Sequence, residues 1–100
     1  MTTPLRPMPP ELLAALARLD DPADIGALLA DLLSPAERSA LAERWAIVSL
    51  LRQGRSQRAV RDAVGCSIAT VSRGAALVQS GGAGLRRAFE ALRGDDQEQA

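Results

Sequence analysis

The sequence predicts an all-α fold, and three observations carry that prediction. Ala and Leu dominate its central stretches, and its 47% of hydrophobic residues include one Trp, one Phe and no Tyr, a mixture that favours helices over strands. Apolar residues recur at spacings of three and four rather than in alternation. Start and stop signals cut these runs into six helical segments, the layout of a small single domain.

Residues 1–10 (MTTPLRPMPP) hold four prolines and no periodic pattern, which predicts a mobile arm. From Pro10 to Leu19, Leu12, Leu13, Leu16 and Leu19 fall at helical spacing, and Asp20, Asp21 and Pro22 close that helix. A second helix is expected from about Ala23 to Leu33, with Ile25, Leu28, Leu29 and Leu32 on its buried side. Ser34-Pro35-Ala36-Glu37 then opens a third: Ser34 caps, Pro35 suits the first helical position and Glu37 completes a capping box. This helix runs to about Arg52. Its apolar residues Leu41, Trp45, Ile47, Val48, Leu50 and Leu51 spread over roughly 220° of the helical wheel, wider than the stripe of a surface helix. Burial on more than one side is therefore expected, with the lone Trp45 as core packing and a second copy of the chain as the cover, a homodimer.

Gly54 stops the third helix, and Ser56 caps a short fourth one from Gln57 to Ala63, with Val60 and Val64 facing inward. Gly65 marks a turn in which Cys66 is a small residue without a reactive role. Ser67 caps a fifth helix, Ile68 to about Val78, offering Val71 and Leu77 to the core. Two short helices joined through a glycine turn make a helix-turn-helix, here at about residues 56–78. The stretch from Ser80 to Gly84 reads as a flexible joint, and Leu85 to Leu92 as a final helix. The domain is thus expected over residues 11–93, followed by an acidic tail at 94–100.

Composition excludes several function classes. One cysteine and no histidine cannot build a disulfide framework or a Cys/His zinc site within one chain. No Gly-rich phosphate loop is present, and the carboxylates sit mostly near helix ends, where capping explains them, so no enzyme and no catalytic residues are expected. No apolar run approaches the length needed to cross a bilayer, and the N-terminus lacks the layout of a signal peptide, so a cytoplasmic location without membrane contact is expected. Formal net charge is zero, but it is segregated: residues 1–51 carry four Arg against seven acids, residues 52–93 eight Arg against two acids, and residues 94–100 three acids. A basic stretch set between acidic ones suggests a polyanion-binding surface.

That surface concentrates in residues 52–73, with five Arg and one acid, Asp62. Arg55, Arg58 and Arg61 recur every three residues and can face a phosphate backbone together, with Arg52 just upstream. The following helix opens SIATVSRGA, exposing Ser67, Ala69, Thr70 and Ser72 with Ile68 among them. Small residues allow close approach to base edges, hydroxyls reach phosphates or bases, and Ile68 can touch a thymine methyl. Taken separately, the arginines read equally well as a solvated helix face, and SIATVSRGA as an ordinary bundle helix.

The runs LLSPAERSALAERWAIVSLLRQG, SQRAVRDAVG and SIATVSRGA together resemble the Trp repressor family, closely over about residues 29–78 and loosely over the last helix. The resemblance implies an intertwined homodimer of six-helix protomers that presents two recognition helices to successive major grooves of a palindromic DNA operator. It places Gln57, Arg58 and Arg61 on the first helix of the motif and Ile68, Ala69, Thr70 and Ser72 on the recognition helix. It further implies L-tryptophan as corepressor, sandwiched between Arg44 and Arg73, with Gly74 leaving room beside the ring, Ser34 keeping a hydroxyl and Leu33 offering its carbonyl. Leu77 and Asp31 depart from the family, standing where it has a serine and a leucine; Asp31 can supply a replacement carboxylate near the ligand's amino group. The reading is therefore a sequence-specific transcriptional repressor gated by tryptophan or a related small ligand. Its alternatives are a ligand-independent DNA-binding regulator and a helical protein–protein interaction module.

Overall fold

A computed structural model of the chain describes the backbone of residues 5–99 and the side chains of residues 5–94. Among the described residues there are six helices and no strand: α1 (Pro10–Arg18), α2 (Pro22–Leu32), α3 (Pro35–Arg52), α4 (Gln57–Val64), α5 (Ile68–Ser80) and α6 (Ala83–Gln99). The chain divides into two compact units, Met1–Ser39 and Ala40–Ala100, with α3 contributing to each.

In the first unit, local chemistry sets the helix starts. Prolines stand in the first turns of α1 and α2, where their missing N–H is no loss, and the Asp21 carboxylate accepts a hydrogen bond from the Ala23 N–H at 2.9 Å to cap α2. The capping box at the head of α3 forms as expected: the Glu37 N–H donates to Ser34 Oγ at 3.2 Å, and the Ser34 N–H donates to Glu37 Oε1 at 2.8 Å. Hydrogen bonding to the carboxylate, first from the Ser34 backbone N–H and then from the Ser34 side chain, holds the Glu37 pKa below its usual value of 4.5. Packing is thin by comparison. No residue of α1 or α2 is buried, and although Ile25, Leu28 and Leu29 are half-buried, Leu32 is exposed, against the expectation that it lies on a buried face.

The second unit is built on a core of Ile47, Val60 and Val71, one residue from each of α3, α4 and α5. Leu50, Leu51, Val64 and Cys66 pack around it, and Val48 is buried as well. Gly74 decides how close α5 comes to α3: a Cβ built there would stand 2.5 Å from Ile47 Cγ2 and 3.8 Å from Leu51 Cδ1. Only a residue without a side chain allows that approach. Trp45, expected in the core, is instead 42% exposed and stacks on Phe89 of α6, with ring centroids 5.0 Å apart and an angle of 16° between the planes. Leu77 of α5 and Leu41 are exposed too, so the wide apolar arc of α3 is covered around Ile47, Val48, Leu50 and Leu51 and open at Leu41 and Trp45.

Two boundaries differ from expectation, both at the last helix. Gly81 adopts a left-handed conformation that caps α5, and the flexible joint shrinks because Ala83 and Gly84 already belong to α6. At its other end α6 continues to Gln99, through the residues set apart as an acidic tail. After Leu92 there is no proline, and the one glycine, Gly94, costs a helix only about 1 kcal/mol.

Candidate nucleic-acid interface and adjoining cleft

The pair α4–α5 owes its shape to three small residues. Ser56 Oγ accepts from the Ala59 N–H at 3.1 Å and Ser67 Oγ from the Thr70 N–H at 3.2 Å, so both helices begin on serine caps. Between them Gly65 has φ of 78°, a left-handed conformation that costs a side-chain-bearing residue roughly 1–2 kcal/mol, and its N–H donates to the Arg61 carbonyl at 2.8 Å. Val60 and Val71, both fully buried, lock the two helices to α3. A further bond ties their first turns: Ser72 Oγ donates to Gln57 Oε1 at 3.1 Å, which orients the Gln57 side chain and leaves its NH2 group to donate outward.

The residues proposed for DNA contact divide into two groups. Arg55, Gln57, Arg58, Ser67, Ile68, Ala69 and Ser72 are exposed, and Ile68, at 43% exposure, is a large apolar side chain at the start of α5 with little packing to account for it. The others are engaged elsewhere. The Arg52 guanidinium lies 4.3 Å from the centroid of the Phe89 ring, a cation–π contact that draws it towards α6. Arg61 is half-buried and pairs with neighbouring Asp62 at 3.1 Å, an exposed ion pair of small energetic worth that still directs the side chain. Thr70 turns inward: its hydroxyl lies 2.8 Å from Ser67 Oγ and accepts from Arg73 Nη2 at 3.4 Å.

Between α3 and α5, within the second unit, lies a cleft of about 410 Å³. Four of the residues suggested for ligand binding line it together: Arg44, Arg73, Gly74 and Leu77. Ile47 and Val48 add to the apolar wall, and Ala40, Thr70 and Glu43 complete the lining. Helical spacing explains the set. Residues 40, 43, 44, 47 and 48 share one face of α3, and residues 70, 73, 74 and 77 one face of α5. Glu43, which lines the cleft, was not singled out from the sequence, although its place one turn before Ile47 could have found it. Asp31, Leu33 and Ser34 belong to the first unit: Asp31 is exposed on α2, Leu33 is half-buried at its end, and the Ser34 hydroxyl caps α3. Among the described residues no group of three or more His, Cys, Asp or Glu is placed to hold a metal, and no helix is long and apolar enough to cross a membrane.

A helix-turn-helix with arginines on its first helix and small, exposed residues opening its second, in an all-helical chain, defines a DNA-binding class of protein. The family model described as Trp repressor protein matches residues 10–93, and the chain belongs to that family, one of DNA-binding transcriptional regulators. No curated protein matches the chain.

Proposed function

We propose that this chain is a sequence-specific repressor that binds a palindromic operator as an intertwined homodimer in the cytoplasm, and that L-tryptophan held between Arg44 and Arg73 gates that binding. One observation carries the gating: the cleft and the exposed, base-reading positions share a helix. At about 100° per residue, Ile68 and Ser72 fall on the side of α5 away from Thr70, Gly74 and Leu77, which line the cleft, and Ala69 lies between the two sides. A ligand wedged between α3 and α5 therefore bears on the back of the helix whose front reads DNA. The chemistry suits an aromatic amino acid. Two guanidiniums can sandwich an indole and pair with a carboxylate, and a volume of about 410 Å³ lies within the range of small-molecule sites.

The dimer is supported by what the protomer leaves uncovered. Neither α1 nor α2 buries a residue, while Leu13, Leu32, Leu41 and Trp45 are 51%, 56%, 47% and 42% exposed. Apolar area is worth about 25 cal/mol per Å² when removed from water, and a second copy of the chain supplies the cover. Two protomers then carry two copies of α5, as a palindrome requires.

A selection for bound duplexes followed by mobility-shift titration, with and without millimolar L-tryptophan, tests the reading. Tighter binding with the amino acid is the expected result. Equal affinity in both conditions would refute gating, because a ligand that favours neither state shifts nothing, and would leave a ligand-independent regulator. No shift at low salt would refute DNA binding, and a monomer at every concentration in sedimentation equilibrium would refute the dimer.

A further inference from the structure

The cleft between α3 and α5 holds a charge that the repressor reading leaves unused. Glu43 lines it beside Arg44 and Arg73, yet it has no structural task. It lies in the interior of α3, away from both helix ends, so neither capping nor the helix dipole accounts for it. Its neighbours one turn away on the helix are Ser39, Ala40, Ala46 and Ile47, none of them basic, and among the described residues it makes no ion pair. The carboxylate is exposed and available.

We infer that Glu43 is the specificity-determining residue for the ammonium group of the ligand, so that the cleft selects a zwitterionic α-amino acid over the corresponding simple carboxylic acid. This rests on the reading of the cleft as a ligand site. Two guanidiniums and one carboxylate along an apolar wall of Ile47, Val48 and Leu77 mirror a molecule with one carboxylate, one ammonium and an apolar side chain. The other acceptors are poorly suited. Leu77 offers no polar side-chain atom, and the Thr70 hydroxyl is already engaged by Ser67 and Arg73. Glu43 also sets the sign of discrimination: with it the cleft carries one net positive charge from three charged groups, and without it two, which favours an anion that has no ammonium.

Calorimetric titration of the full chain with L-tryptophan and with indole-3-propionate, which keeps the ring and carboxylate but lacks the ammonium, tests the inference. The wild type is expected to prefer tryptophan by about tenfold or more, as a charge-assisted hydrogen bond does. Glu43→Gln should bring that ratio to one or below while thermal melting stays unchanged, and Glu43→Asp, which keeps the charge, should retain part of the preference. A wild-type ratio in Glu43→Gln overturns the role of Glu43 and leaves the cleft as a ligand site, provided Arg73→Ala weakens both ligands. If neither compound binds the wild type, the ligand reading fails and the inference with it.

Discussion

Replacing Gly74 by alanine sets two opposing effects of known size against each other at the contact between α3 and α5. In an exposed helix the change would help, since Ala exceeds Gly in helix propensity by about 1 kcal/mol. At this position the new methyl would stand 2.5 Å from Ile47 Cγ2 and 3.6 Å from Ile47 Cβ, where carbon atoms in good contact are about 3.5–4.0 Å apart. Something must yield by roughly 1 Å. Ile47 cannot do so cheaply: it is 1% exposed, it belongs to the core with Val60 and Val71, and a β-branched side chain in a helix is confined to one strongly preferred rotamer. Overpacking of this kind costs about 1–3 kcal/mol, so after the propensity gain of about 1 kcal/mol a net loss of up to about 2 kcal/mol is expected. For a chain of this length that corresponds to a fall in Tm of up to about 16 °C. Urea and thermal unfolding followed by circular dichroism, at one fixed protein concentration because association contributes to apparent stability, measure it. Gly84→Ala provides the control, since Gly84 is exposed in α6 with nothing within 4 Å of an added Cβ, and it should leave stability unchanged or slightly raised. A Gly74→Ala protein more stable than the wild type by the full propensity gain of about 1 kcal/mol would refute the argument that this glycine sets the approach of α5 to α3.

Two further outcomes follow from the same geometry. Changing Arg55 and Arg58 together to Ala should reduce the slope of log affinity against log salt by about 2 for the protomer's DNA contact with an unchanged circular dichroism spectrum, whereas Arg61→Ala, whose side chain already pairs with Asp62, should change it less; equal slopes in all three proteins would remove these arginines from the phosphate contact. Because the Glu37 pKa is lowered by its bonds to Ser34, its contribution to stability is present above pH 4.5 and is lost as pH falls through the lower folded value. Glu37→Gln should therefore flatten the acid limb of the stability curve below pH 4.5, and an identical limb in both proteins would show that the capping box does not respond to acid.

Much of the local structure was legible because it is decided over three or four residues. Ser34 with Glu37, Ser56, Ser67 and Gly65 each act on backbone groups within one turn, and all form as their spacing predicts. Arg44, Arg73, Gly74 and Leu77 meet in one cleft because each pair or set keeps to a single face of its helix. Trp45, Leu32 and Leu77, each expected on a buried face, are exposed in the protomer for a common reason. Helical periodicity tells which residues share a face but not what, if anything, covers it, and these faces remain open in the protomer. The contact of Arg52 with Phe89 was not legible, because nothing in its own helix predicts a ring 37 residues later in the sequence beneath its guanidinium.

By itself, then, the sequence determined six helices, their caps and a basic helix-turn-helix, since these follow from interactions between near neighbours and from charge counted along the chain. Only the tertiary structure decided which arginines stay exposed, that Gly74 serves the packing of α5 on Ile47, and that Glu43 joins Arg44 and Arg73 in one cleft. Those outcomes depend on how close α3, α4, α5 and α6 come to one another, and that distance is set by side chains far apart in the chain competing for the same space.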